Sequence, residues 1–244
     1  MLSLPEKYKK DVSIAKVIFV RGANLSGADK KRFETAVKEI RLTYQIEGFD
    51  IPNLVNDEYN CQVIMFMRIQ LKSLKQAAFI AKVIQRCIAP LCVVEFTDEV
   101  NEQYSFADKR LNKQNQKEIV IENEYLTELL PMNCQSNLKT LFSLYIDYET
   151  ILNKNNKHTY YVEMMTKAFL VFNQTVYSGS LKILDSRVWH DEEKAMCFFP
   201  LLKKLKSLKQ AAAKANTIAE KSAYNKEMKE IITQIEEIYM KEDG

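Results

Sequence analysis

Four residues have the types and order to cut a phosphodiester: Asp57, Glu58, Gln70 and Lys72. A nuclease of the PD-(D/E)xK kind needs carboxylates to hold a divalent cation and a lysine to position or activate the attacking water. Asp57 and Glu58 precede a long apolar run, and Gln70-Leu71-Lys72 closes it. Glu34 or Glu39 would assist from an earlier helix. Gln70 stands where that motif carries glutamate, and a chain so built would be a degenerate enzyme. Mg2+ is the one cofactor this reading implies; every other reading of the chain implies none.

The remaining chemical candidates are sparser. The five cysteines have no CxxC spacing, and Cys61, Cys87 and Cys92 lie in apolar runs. They read as reduced, buried thiols, as expected of a cytoplasmic protein. The two histidines, His158 and His190, fall in no nucleophile motif. His190 beside Asp191, Glu192 and Glu193 supplies too few distinct ligands for a metal site, and the cluster reads as a packed Trp189 before a capped helix. Glu95, set among Val93, Val94 and Phe96, is either a site carboxylate or a group that faces solvent on an edge or pairs with a lysine. Tyr145, Tyr148, Tyr160 and Tyr161 have the chemistry to stack on bases, although such helical spacing is commoner in a core. Neither GxGxxG nor GxxxxGK[ST] occurs.

Two surface features remain. Lys203, Lys204, Lys206, Lys209 and Lys214 are interrupted by no acid and would contact nucleic-acid phosphates without regard to sequence. Leu201, Leu205 and Leu208, and then Tyr224, Met228, Ile231, Ile235 and Ile238, step by three and four like a coiled-coil seam. That seam would dock a protein partner or a second copy of the chain. The two halves are out of phase, which predicts a kink, a turn between two helices or a change of packing partner between about Ala215 and Tyr224.

The elements that must position these residues follow from periodicity. Lys16–Val20 is β-branched and reads as a strand or docked extended segment. Ser26 would cap a helix running to about Ile40, with Phe33, Val37 and Ile40 on one face. Ile40–Ile46 alternates as a strand does. Cys61–Leu71 is the strongest strand, followed by a helix over 74–88, a buried strand over 91–96 and a hairpin partner over 102–108. A further strand is expected over 117–125. Helices are expected over 134–153 and 158–177, with an irregular stretch or short helix from Trp189 to Pro200. The fold class is therefore α+β: a mixed α/β sheet domain over 1–130, a helical region over 131–200 and a helical arm over 201–244. The net charge of +3, from 35 basic and 32 acidic residues, is too balanced to name a nucleic-acid partner. The charged N-terminus lacks the apolar stretch of a signal peptide, and no run reaches the roughly 20 residues of a membrane span.

Several of these segments resemble one family together. They are Leu4-Pro5, the helix Asp29–Phe33, the strand Ile40–Ile46, the strand close at Ile69–Lys72, Ile88-Ala89-Pro90 before Leu91–Phe96, and Glu220–Glu227. The chain is similar over most of its length to the bacterial family of the domain of unknown function 4391. The resemblance implies genes beside DNA methyltransferases and helicase-type proteins, as in restriction or phage-defence loci. It thus implies an accessory component that docks onto a helicase or methyltransferase. It carries over no catalytic residues, and it implies an acid near Gln70 that this chain lacks.

Overall fold

A computed structural model describes residues 4–240. The first three residues, and the final four of the expected arm, lie outside the described residues. The sequence does not alternate evenly between strand and helix. Strands dominate up to residue 131 and helices thereafter, giving the expected α+β architecture.

The sheet has seven strands. Six run in the order β1 (Lys9–Ser13), β2 (Val37–Ile46), β5 (Ile64–Leu71), β6 (Leu91–Thr97), β7 (Asn101–Leu111) and β8 (Ile119–Leu126). The seventh, β9 (Leu130–Pro131), pairs with β7. A separate small ribbon joins β3 (Leu54–Val55) to β4 (Asn60–Cys61). β5 and β6 are parallel and joined through helix α3 (Ala77–Cys87); the other pairs are antiparallel. A parallel pair requires such a crossover, whereas β6 and β7 need only the Asp98–Val100 turn.

Alternation in the strands divides the core. Met67, Ile69, Leu71, Cys92, Val94 and Phe96 face α1 (Lys16–Gly22), α2 (Gly27–Ala36) and α3. Ile64, Phe66, Leu91, Val93, Tyr104 and Phe106 face the helices that follow the sheet. These are α4 (Asn137–Tyr145), α5 (Lys157–Phe172), α6 (Ser180–Asp185), α7 (Glu192–Lys214) and α8 (Ile218–Met240). Helix α5 is the centre of that layer: every residue from Lys157 to Val171 is buried.

Three local expectations are corrected. Lys16–Val20 is helical, because Phe19 and Val20 bury against α2 and α3 and that packing outweighs β-branched propensity. Helix α2, capped by Ser26 as expected, ends at Ala36, and Val37 already belongs to β2. Phe33, Val37 and Ile40 satisfied a helical period, yet all three are buried from two different elements. Pro200 does not end a short helix but lies inside α7, which starts eight residues earlier at Glu192.

Candidate functional site

The nuclease constellation is not assembled. Asp57 and Glu58 form the turn between β3 and β4, where the Glu58 carbonyl accepts the Leu111 amide at 2.8 Å. Strand β5 then carries the chain away from them for roughly 20 Å at about 3.3 Å per residue. Gln70 sits at its far end between Glu39 and Thr97, and the Lys72 amide donates to Ala36. Carboxylates so far from the lysine cannot hold a cation beside the water that the lysine would activate. Glu39 is bound instead to the Arg41 guanidinium at 2.9 Å. Among the described residues no cluster of three His, Cys, Asp or Glu could hold a metal.

Lys72 finds other company. The chain leaves β5 beside α2, and a groove of about 500 Å³ opens there, lined by Lys31, Arg32, Thr35, Lys72, Ser73 and Gln76, with Ala28 and Ala36. No carboxylate lines it. Phe33, fully buried against Phe19, anchors α2 so that Lys31 and Arg32 face outward. Arg32 is held in place: its Nε donates to Gln76 Oε1 at 2.7 Å, and its guanidinium lies 4.1 Å from the centre of the Phe79 ring. Helix α2 carries two acids, Asp29 and Glu34, and neither lines the groove; Asp29 accepts the Ser26 hydroxyl at 3.0 Å. Lys31 and Lys72 make no ion pair among the described residues. Three cations around a small-residue floor form a surface suited to phosphate oxygens. Lys31 and Arg32 are forty residues from Lys72, so spacing along the chain gave no signal of this groove.

The arm is a helical hairpin, α7 turning at Ala215–Thr217 into α8, as the phase shift predicted. Its seam is spent on the chain's own core. Leu205 and Leu208 are buried, as are Ile231 and Ile235, and Leu201, Tyr224, Met228 and Ile238 pack against the same cluster. These residues, expected to dock a partner, pack within the chain: α5, α7 and α8 use the stripe on each other. The five lysines do not form one stripe either. Lys204 pairs with Glu227 at 2.7 Å, Lys209 donates to the Thr175 carbonyl at 2.9 Å, and Lys206 stands over Phe169. Lys203 lines a shallow depression with Arg86, Glu122 and Glu124, and Lys214 closes the last turn of α7. Charges near that helix end also complement its dipole.

The other candidates resolve into structure. Arg68 donates to Glu95 through Nε and Nη2 at 3.1 and 3.0 Å. Burial raises the Glu95 pKa and Arg68 opposes the rise. Tyr161 donates to the Cys92 carbonyl and accepts the Ala107 amide, so it ties α5 to the sheet and is not available to stack on a base. Tyr160 is equally buried; Tyr148 packs on Tyr8, and Tyr145 donates to Asp185. Trp189 donates to the Ile183 carbonyl, and Asp191 caps α7. Burial pushes the Cys61 and Cys92 thiols up to about 12, which keeps them protonated and inert. Cys134 and Cys197 are exposed, and all five cysteines are free. One buried pair was not foreseen: His158 Nε2 meets Asp108 at 2.8 Å under the Tyr59 ring. Fifty residues separate the two, and neither segment hints at the other.

Among the described residues no helix is long and apolar enough to cross a membrane. Comparison with curated proteins and with solved structures gives no match. A family model does match, and it covers sheet and hairpin alike: over residues 2–235 the chain belongs to the family of the domain of unknown function DUF4391.

Proposed function

We propose that the chain is a non-catalytic accessory subunit of a bacterial DNA-targeting defence system, holding a nucleic-acid backbone for a helicase or DNA methyltransferase partner. The observation that carries this reading is the groove of Lys31, Arg32 and Lys72, which combines three cations with no lining carboxylate. Contacts of this kind give affinity without sequence preference and leave sequence choice to the partner. The separation of Asp57 and Glu58 from Gln70 and Lys72 takes away the geometry of the nuclease alternative. The defence setting rests on the genomic company that family membership implies.

With the hairpin seam consumed internally, the partner contact falls to outward apolar side chains elsewhere. Val17 and Ile18 on α1 and Val12 on the edge strand β1 are each about half exposed. Self-association would use the same edge. Two measurements test the proposal. Anisotropy of a labelled duplex should show binding that weakens steeply with salt, and charge reversal at Lys31, Arg32 and Lys72 should abolish it. Purification of the chain from its native locus should bring the partner with it. Binding that is indifferent to the groove substitutions, or a chain recovered alone, would overturn the reading.

A further inference from the structure

Among the described residues three lysines are buried, and two of them have three partners around the ammonium group. Lys157 donates to the Gly48 and Ile51 carbonyls and to Asn53 Oδ1, at 2.6 to 2.8 Å. Lys167 pairs with Glu163, donates to the Thr150 carbonyl and faces the Trp189 ring. Lys109 differs. It is 3 % exposed and donates to the carbonyls of Ile88 and Pro90 at 2.7 and 3.0 Å, beyond the end of α3. No carboxylate pairs with it among the described residues. Its two carbonyls answer two of the three ammonium N–H groups, whereas Lys157 has three oxygens around it, and a buried ammonium is costly unless every donor is met.

Lys109 also lines a cavity of about 430 Å³ where the chain enters β5 and β6 and leaves β7. Val63, Pro90, Leu91 and Ile119 supply apolar walls, and Lys117 stands at the β8 side. No Asp or Glu lines it. Arg110 is also present but is committed to Glu122 at 2.6 Å. The volume lies within the usual range for small-molecule sites, which pair apolar walls with a few fixed polar groups.

We propose that this cavity binds a small organic anion, its carboxylate or phosphate group meeting the remaining Lys109 proton and Lys117, its apolar body lying against Leu91 and Ile119. Burial lowers the Lys109 pKa to about 8, so a fraction of the amine is neutral near neutral pH. That makes the site addressable by an anionic aldehyde. The site lies apart from the α2 groove, so its failure would leave the nucleic-acid reading standing, and the reverse holds.

The test uses pyridoxal 5′-phosphate on the full chain, followed by borohydride and peptide mapping. The Lys109 amine condenses with the aldehyde carbon, the aldehyde oxygen leaves as water, and hydride from borohydride reduces the imine to a stable secondary amine. At substoichiometric reagent Lys109 should carry at least tenfold more label than exposed lysines such as Lys30 or Lys75. Ile119→Trp, which fills the cavity, should cut Lys109 labelling tenfold while leaving the unfolding midpoint near that of the parent. Competition with benzoate and with phenyl phosphate should protect Lys109, the better protector identifying the head group. Label spread evenly over surface lysines, or protection by neither competitor, would overturn the proposal.

Discussion

Glu163 and Lys167 form an ion pair at 2.6 Å in which both side chains are buried, one turn apart on the central helix α5. The Glu163 carboxylate also accepts the amides of Leu152 and Asn153, and Lys167 donates to Thr150. The pair thereby fixes the loop between α4 and α5 onto the helix. Burial lowers the Lys167 pKa and Glu163 works against that. Removing one member leaves the other as an unpaired charge in the core. Lys167→Met should cost about 3–5 kcal/mol, read by urea denaturation. The double change Glu163→Gln with Lys167→Met should recover part of that loss. Equal stability of the single variant and the parent would mean that the pair contributes nothing net.

The α2 groove makes a quantitative claim about salt. Each phosphate contact releases counterions, so the logarithm of affinity falls with the logarithm of salt concentration in proportion to the contacts made. Replacing Lys31 and Lys72 together by alanine should reduce that slope by about 2. Lys204→Ala, which removes a lysine already paired with Glu227, should leave it nearly unchanged. A larger effect from Lys204 than from the groove pair would move the binding surface to the hairpin.

How much of this was legible in the sequence depends on how far apart the partners lie. β5, α3 and β6 could be read because alternation and helical period each hold over a whole element. So could the hairpin, whose break in phase is a local property. Helix α5 reads as a helix from its sequence, but not as a buried one. Lys157, Glu163 and Lys167 give it a polar face on paper, and only contacts to Gly48, Ile51 and Thr150 turn that face inward. The groove was half visible. Lys72 stood out for its place at a strand end, but the chemistry assigned to it required acids that the direction of β5 carries away. The cavity at Lys109 left no trace, since Cys61, Leu91 and Ile119 converge only through strand order.

The hairpin seam predicts a dependence that a free arm would not have. Ile235 is fully buried and Leu205 likewise, so each substitution by alanine should cost about 2–5 kcal/mol. Ending the chain at Ala215 should expose Leu205 and Leu208 and lower the unfolding midpoint of the whole protein, measured by calorimetry. A separable arm would be lost with no change in that midpoint.

Lys109 gives a signature in alkaline solution. Burial lowers its pKa from the usual lysine value of 10.5 to about 8 in the folded chain. Between those values the unfolded chain holds the proton and the folded chain has released it. Stability from this group therefore rises as pH climbs from about 8 to 10.5, by about 3 kcal/mol if it acts alone. The buried tyrosines act in the opposite sense at high pH, since burial raises the pKa of Tyr125 and Tyr161. The informative quantity is consequently the difference between parent and Lys109→Met, in which the tyrosines cancel. Denaturant titrations at pH 7.5 and 10 should show the parent gaining on the variant as pH rises. A difference that stays flat would mean that Lys109 keeps its proton, held by the carbonyls of Ile88 and Pro90.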